Sequence, residues 1–266
     1  MILRRLHWAG LLCGTMVLPS SVEAQRTGDQ ARLIFSLSGG VVGGKRLWNI
    51  SPQPIQPSGA VDTFAVARRI RSNLVIGFSG TYYPGAHLGL MLEGFLVGLG
   101  FEDSCNQLFS TGSSAVASAC TSIQGAEKAA TSVILSAGPV FRINSQSLVS
   151  PYARLGAGLI FSNQSSLSMS GTFESGTGPV SLPVYTDDHE SRVEPAAALG
   201  VGFTAAVAKG YQLRWELRDN LVGVQRVTAP SVQSGVTPPH ELDFKHLFSL
   251  TIGVDVVLER RRGRRY

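Results

Sequence analysis

Charge is scarce in this 266-residue chain: Asp, Glu, Lys and Arg make up 15% of it, while hydrophobic residues reach 44%. Soluble domains usually hold roughly a quarter of their residues as charges, so an ordinary solvated surface is a poor fit. The apolar content equally excludes a disordered chain. Long apolar runs are also missing. The best stretch, Leu88 to Phe101, is interrupted by Glu93 and by Gly89, Gly94, Gly98 and Gly100. It falls short of the ~18 or more residues that a spanning helix needs. Nor is there a basic face for nucleic acid. Of the net charge of +5, Arg260, Arg261, Arg262, Arg264 and Arg265 account for all, and residues 25–259 sum to −1. A short arginine run of this kind is ordinarily a solvated tail.

What is present begins with an export signal. Arg4 and Arg5 precede a short apolar stretch from Trp8 to Leu18, and Val22-Glu23-Ala24 places small residues around a cleavage point. Residues 1–24 therefore read as a secretory signal peptide, with the mature chain starting at Gln25. A lipoprotein site at Cys13 is disfavoured because Leu12 is too large for the preceding position. Cys13 leaves with the signal, so Cys105 and Cys120 remain as an even pair. In an exported chain that pair reads as a disulfide rather than a metal site or nucleophile.

The mature chain alternates with period two. Leu33, Phe35 and Leu37 interleave with Arg32, Ser36 and Ser38; Leu74, Ile76 and Phe78 interleave with Gly77 and Ser79. The same pattern recurs over 132–143, 152–161, 193–207, 211–220 and 248–259. Successive side chains of a strand point to opposite faces, so these are two-faced strands, about eight in all. In 88–102 the parity is mixed: Leu88, Leu90, Leu92 and Leu96 share one face, while Phe95, Val97, Leu99 and Phe101 share that of Glu93. A bulge near Gly94 would reconcile the two. Residues 61–70 (VDTFAVARRI) fit a strand, a short helix or part of a loop.

The connections alternate in length. Short ones lie at 84–86, 144–147 and 208–210; long ones, rich in Ser, Gly, Pro and Thr, cover 45–72, 104–126, 163–192 and 228–241. Short turns at one end and long loops at the other mark an outer-membrane barrel. No amphipathic helix is evident to cover an apolar sheet face. The expected architecture is all-β: a closed antiparallel up-and-down transmembrane barrel over residues 25–259, with short periplasmic turns, long outer loops and a basic tail at 260–266. Charges then belong inside, where a lumen this narrow is filled by side chains. Glu93, Arg142, Arg154, Glu194, Arg214, Glu216, Arg218 and Asp255 are the expected internal network, since buried charges must be paired to be tolerated.

The runs PYARLGAGLIF (151–161), YQLRWELRDN (211–220) and HLFSLTIGVDVVL (246–258) resemble small outer-membrane barrels of the OmpA-like β-barrel domain group. That resemblance implies eight strands in the outer membrane of a diderm bacterium, inserted by the barrel-assembly machinery among outer-membrane lipids. One departure is the ERRRGRR segment before Tyr266, where the family commonly ends its last strand on an aromatic residue.

Chemistry is thinly signalled. TDDHE (186–190) is the best metal-like cluster, but adjacent loop residues of this kind are ordinarily solvated. His87, His240 and His246 stand in no recognisable nucleophile spacing, and GGVVGG (39–44) lacks the Lys-Ser/Thr pair of a phosphate loop. An enzyme, a cofactor, a resident metal and a nucleic-acid partner are all outside the expectation. Three roles stay open: an anchor or surface-interaction protein working through its outer loops, a narrow channel or hydrophobic-solute conduit, and a soluble periplasmic ligand-binding barrel.

Overall fold

The computed structural model describes residues 32–55, 61–143, 147–188 and 192–259. The signal peptide, the arginine tail, His189 and Glu190 lie outside them. In chain order the elements are β1 (Arg32–Val42), β2 (Arg46–Ile55), β3 (Asp62–Ile70), β4 (Asn73–Tyr83), β5 (Leu88–Gly98), β6 (Phe101–Phe109), α1 (Ser114–Ile123), β7 (Glu127–Lys128), β8 (Thr131–Arg142), β9 (Val149–Ser162), β10 (Met169–Ser175), β11 (Gly178–Tyr185), β12 (Val193–Ala208), β13 (Tyr211–Val227) and β14 (His240–Glu259).

Eight of the strands close into an antiparallel barrel in the order β1-β14-β13-β12-β9-β8-β5-β4. The ring shuts where β1 pairs with both β4 and β14. Connections at one end are short, and the tightest is Lys209-Gly210, whose glycine takes φ 80°. Positive φ of this kind is what a two-residue hairpin turn requires and what glycine supplies at little cost.

The barrel's outward face is apolar throughout its wall. Leu74 is 69% exposed, Leu92 68% and Leu37 61%, and Phe78, Leu90, Leu155, Leu199, Leu250 and Ile252 are exposed beside them. On β14 the outward residues run from Phe248 to Leu258. At about 3.4 Å per residue and a tilt near 40° these ten steps span about 26 Å along the axis, the height of a lipid-facing belt. Tyr82 and Tyr211 mark the short-turn end and Phe161 and Phe248 the other. Trp215 stacks on Phe203 at 4.9 Å, two outward rows in from Tyr211.

Strand β5 runs from Leu88 to Gly98 with an unbroken pairing to both neighbours. The expected bulge near Gly94 does not occur. Phe95 and Val97 face inward with Glu93, because the outer third of the lumen is itself apolar. The long excursions are also folded. Residues 62–70 form a strand, but in a four-stranded sheet β2-β3-β6-β7 outside the barrel, while β10-β11 make a separate hairpin. A helix was not expected, yet α1 buries Val116, Ala119, Cys120 and Ile123 as a narrow stripe one face wide. Its small residues allow a close approach to β10: a Cβ added at Gly171 would lie 2.6 Å from the Ala119 carbonyl oxygen.

Candidate functional site: the barrel interior and its outer cap

Inward positions in the middle of the barrel carry a linked set of charges. Glu93 on β5 lies 2.8 Å through Oε2 from Arg218 Nη2 on β13, and Arg218 Nη1 donates to Glu93 Oε1 at 3.0 Å. Arg154 on β9 donates to the same Oε1 from both terminal nitrogens at 3.2 Å. Its Nη2 also pairs with Glu216 Oε1, and Glu216 Oε2 accepts from the Tyr152 hydroxyl at 2.6 Å. Beside this set Arg214 pairs with Asp255 at 3.1 Å and lies over the Tyr152 ring, 5.3 Å from its centroid. Arg218 similarly covers the Phe95 ring at 4.2 Å.

Two consequences follow from where these residues sit. In the barrel order β5 and β13 are four strands apart in either direction, so the Glu93–Arg218 pair spans the full diameter. The lumen at that level is therefore crossed by side chains. Room for the cluster comes from Gly200 on β12: a Cβ there would stand 2.9 Å from both Arg154 Nε and Glu216 Oε1. Towards the short-turn end the residual cavity lined by Tyr83, Arg142, Tyr152, Arg214 and Asp255 measures ≈ 10 Å³, about one water.

Two residues expected in the network stand apart from it. Arg142 is near the short-turn mouth, where its Nε donates to the Ala86 carbonyl at 2.8 Å and its guanidinium covers Tyr83 at 3.9 Å. Glu194 has the inward parity but lies at the outer rim, accepting from Gln225 Nε2 at 2.6 Å. Parity in the sequence tells which wall a side chain faces; height along the axis depends on strand stagger, which it does not encode. Tyr152 was missed, although it shares the inward parity with Arg154 two residues on. A hydroxyl at that parity was the available signal.

Above the charges, inward Val42, Val75, Phe95, Val97, Ile134 and Ile160 merge with Leu47, Trp48, Phe64, Leu167, Met169 and Tyr185 of the excursions into one buried apolar cluster. The outer mouth is thus stoppered by a cap with its own core. Two buried polar side chains tie the cap together. Arg68, on β3, makes a two-point pair with Asp103 on β6 at 2.6 and 2.8 Å and donates to the carbonyls of Ser166 and Ser168 at 3.0 and 2.6 Å. It is held between Trp48 and Phe101, with ring centroids at 5.6 and 5.2 Å. Gln53 on β2 accepts from the Tyr185 hydroxyl at 2.6 Å and the Ser231 amide at 3.0 Å. Together these two side chains connect all four excursions. Burial holds the Lys128 ammonium below the usual lysine range, with Arg68 adding to the effect and Asp103 opposing it. Burial likewise pushes the Tyr185 phenol up.

Cys105 on β6 and Cys120 on α1 form a disulfide with Cα atoms 5.4 Å apart, so the bridge fastens the helix to the cap sheet. Of TDDHE, Asp188 accepts from Thr237 Oγ1 at 2.7 Å, and no cluster of metal-ligating side chains occurs among the described residues. His87 and His240 contact main-chain carbonyls, and His246 pairs with Asp219 at 2.7 Å on the outer surface. Nothing brings these histidines together.

No family model matches the chain, and no curated protein matches it in sequence. Solved structures do. The outer membrane protein OprG from Pseudomonas aeruginosa is 11% identical, with 88% of this chain and 98% of that chain covered at a TM-score of 0.51. AlkL, solved in DMPC lipid bilayers, is 14% identical over 90% of this chain and 95% of its own, at 0.42. Neisserial surface protein A is 11% identical over 85% and 97%, at 0.39. The likeness to OprG is a likeness of fold: the chain has the architecture of the small eight-stranded outer-membrane barrels.

Proposed function

We propose that the protein is an integral outer-membrane barrel that anchors a folded outer cap at the cell surface, and that the cap, rather than a pore, is its working part. The observation that carries this is the inversion of the strands. Leu, Val, Ile and Phe face outward around the wall, while the paired charges face inward and meet across the full diameter. A soluble ligand-binding barrel needs the reverse arrangement, with its large apolar surface hidden from water. In a bilayer the same face is satisfied, and closure leaves no unpaired strand edge in lipid.

A conducting role fits the geometry less well. The charged middle is bridged wall to wall, and the mouth above it is filled by the cap core. A rigid scaffold displaying loop-borne residues is the usual arrangement of a recognition surface. Here the loops are ordered against one another by Arg68, Gln53 and the disulfide. Outer-membrane lipids would surround the belt, and the barrel-assembly machinery would insert it.

The test begins with fractionation. The protein should be recovered from the outer-membrane fraction and migrate faster on gels before boiling than after. Recovery from the periplasm as a soluble monomer would end the membrane reading. In planar bilayers the inserted protein should show no steady conductance; stable ion-passing openings would replace the anchor with a channel.

A further inference from the structure

Where the barrel joins the cap, the exposed face of the outer sheet carries one cross-strand row of charges. Arg46 on β2 stands opposite Arg69 on β3, Arg69 opposite Glu102 on β6, and Glu102 opposite Glu127 on β7. Arg69 holds both Glu102 oxygens at 2.7 Å, and Arg71 pairs with Glu127 and reaches Glu102 at 4.0 Å. Lys45 and Arg46 are exposed and have no salt-bridge partner among the described residues. Four cations thus face two carboxylates, and Arg46 lies directly across from another arginine. Like charges in register are destabilising. Two other cations of the outer rim are neutralised, Arg226 by Glu241 and Lys245 by Asp243 at 2.8 Å.

The height of this row is set by the backbone. The Gly43 amide donates to the Phe248 carbonyl at 2.7 Å, and the Ile70 amide to the Lys45 carbonyl at 2.7 Å. The outward apolar residues nearest the row along the chain are Val41 on β1 and Leu74 on β4, both exposed. The four cations lie three to five residues beyond them in sequence, about 10–17 Å of extended chain. The headgroup layer occupies the first several ångströms outside the hydrocarbon on each side. Lysine and arginine stems reach back several ångströms along the wall, so the charged ends of the row come to headgroup depth if the barrel is in the outer membrane.

We propose that Lys45 and Arg46, supported by Arg69 and Arg71, bind the phosphate groups of an outer-leaflet lipid. Guanidinium groups match phosphate oxygens in a two-point geometry, and a phosphate between Arg46 and Arg69 would relieve their repulsion. This rests on the outer-membrane reading, and the experiment separates the two.

Purified full-length protein in zwitterionic detergent micelles would be titrated with a bisphosphorylated glucosamine-disaccharide lipid, the same lipid with its phosphates removed, inorganic phosphate, and heparin. The expected result is tight binding of the phosphorylated lipid alone. Lys45→Gln with Arg46→Gln should weaken it roughly ten- to thirty-fold, while Arg226→Gln leaves it unchanged. Equal binding of the two lipids, or unchanged binding in the double variant, overturns the proposal. Heparin or inorganic phosphate binding as strongly as the lipid overturns the lipid assignment. The double variant must keep the heat-modifiable form; if it does not, Arg46→Gln alone is read by the same criteria. A barrel that never enters membranes fails the function proposed above, whereas an inserted barrel indifferent to lipid phosphate fails only this inference.

Discussion

Replacing Glu93 by Gln removes one negative charge from a buried set in which Arg154 and Arg218 are balanced by Glu93 and Glu216. All four residues are nearly inaccessible, with side chains 4% exposed or less. The amide keeps the shape and one acceptor, but it presents an NH₂ or a weakened oxygen to two guanidiniums and leaves one positive charge uncompensated. Breaking a buried pair in this way costs about 3–5 kcal/mol. With an m-value of about 2 kcal/mol per molar urea, the unfolding midpoint in micelles should fall by about 2 M, read as loss of the fast-migrating gel form. Arg218→Met alone leaves the opposite imbalance and should cost a similar amount. The two together restore neutrality, because Arg154 retains Glu216. The double variant should therefore lose much less than the sum of the singles, with a coupling of about 2 kcal/mol or more. Strict additivity, or singles within about 0.5 kcal/mol of the parent on the surface-substitution scale, would refute the picture of a dry ring bridged across the barrel.

Arg68→Met strands the Asp103 carboxylate at 1% exposure and frees the carbonyls of Ser166 and Ser168. The cap should lose about 3–5 kcal/mol of local stability, seen as faster hydrogen exchange over 163–168 while the barrel strands stay protected. Cys105→Ser with Cys120→Ser opens a loop of sequence separation 15, worth about 3 kcal/mol on the chain-entropy estimate. Limited proteolysis should then cut within 106–126, with heat-modifiable migration unchanged; protease resistance equal to the parent's would show that α1 packing alone holds the cap. Gly200→Val should drive a side chain into the Arg154–Glu216 pair and cost about 1–3 kcal/mol, a fall in the urea midpoint of about 0.5–1.5 M. Gly94→Ala, whose Cβ would meet only Leu135 Cδ2 at 3.5 Å, should fold like the parent.

The barrel was legible from local pattern alone. Period-two alternation assigns each residue of a strand to a face, and segregated loop lengths order the strands antiparallel around a ring. YQLRWELRDN could thus be read as Leu213 and Leu217 outward with Arg214, Glu216 and Arg218 inward, as the structure has them. Parity is local, so it survives without knowledge of any partner. Partnership is not local. Glu93 and Arg218 are 125 residues apart and meet because closure places β5 opposite β13, while Glu194, with the same parity as the network, ends at the rim because of stagger. The cap was the largest thing hidden. Its strands are short, its helix is built from Ser and Ala, and Gln53 or Arg68 carries no mark distinguishing a buried clasp from a loop side chain. Only the folding of four separate excursions onto one core removes water from those groups, and that removal, a tertiary event, is what turns the barrel's open mouth into a closed one.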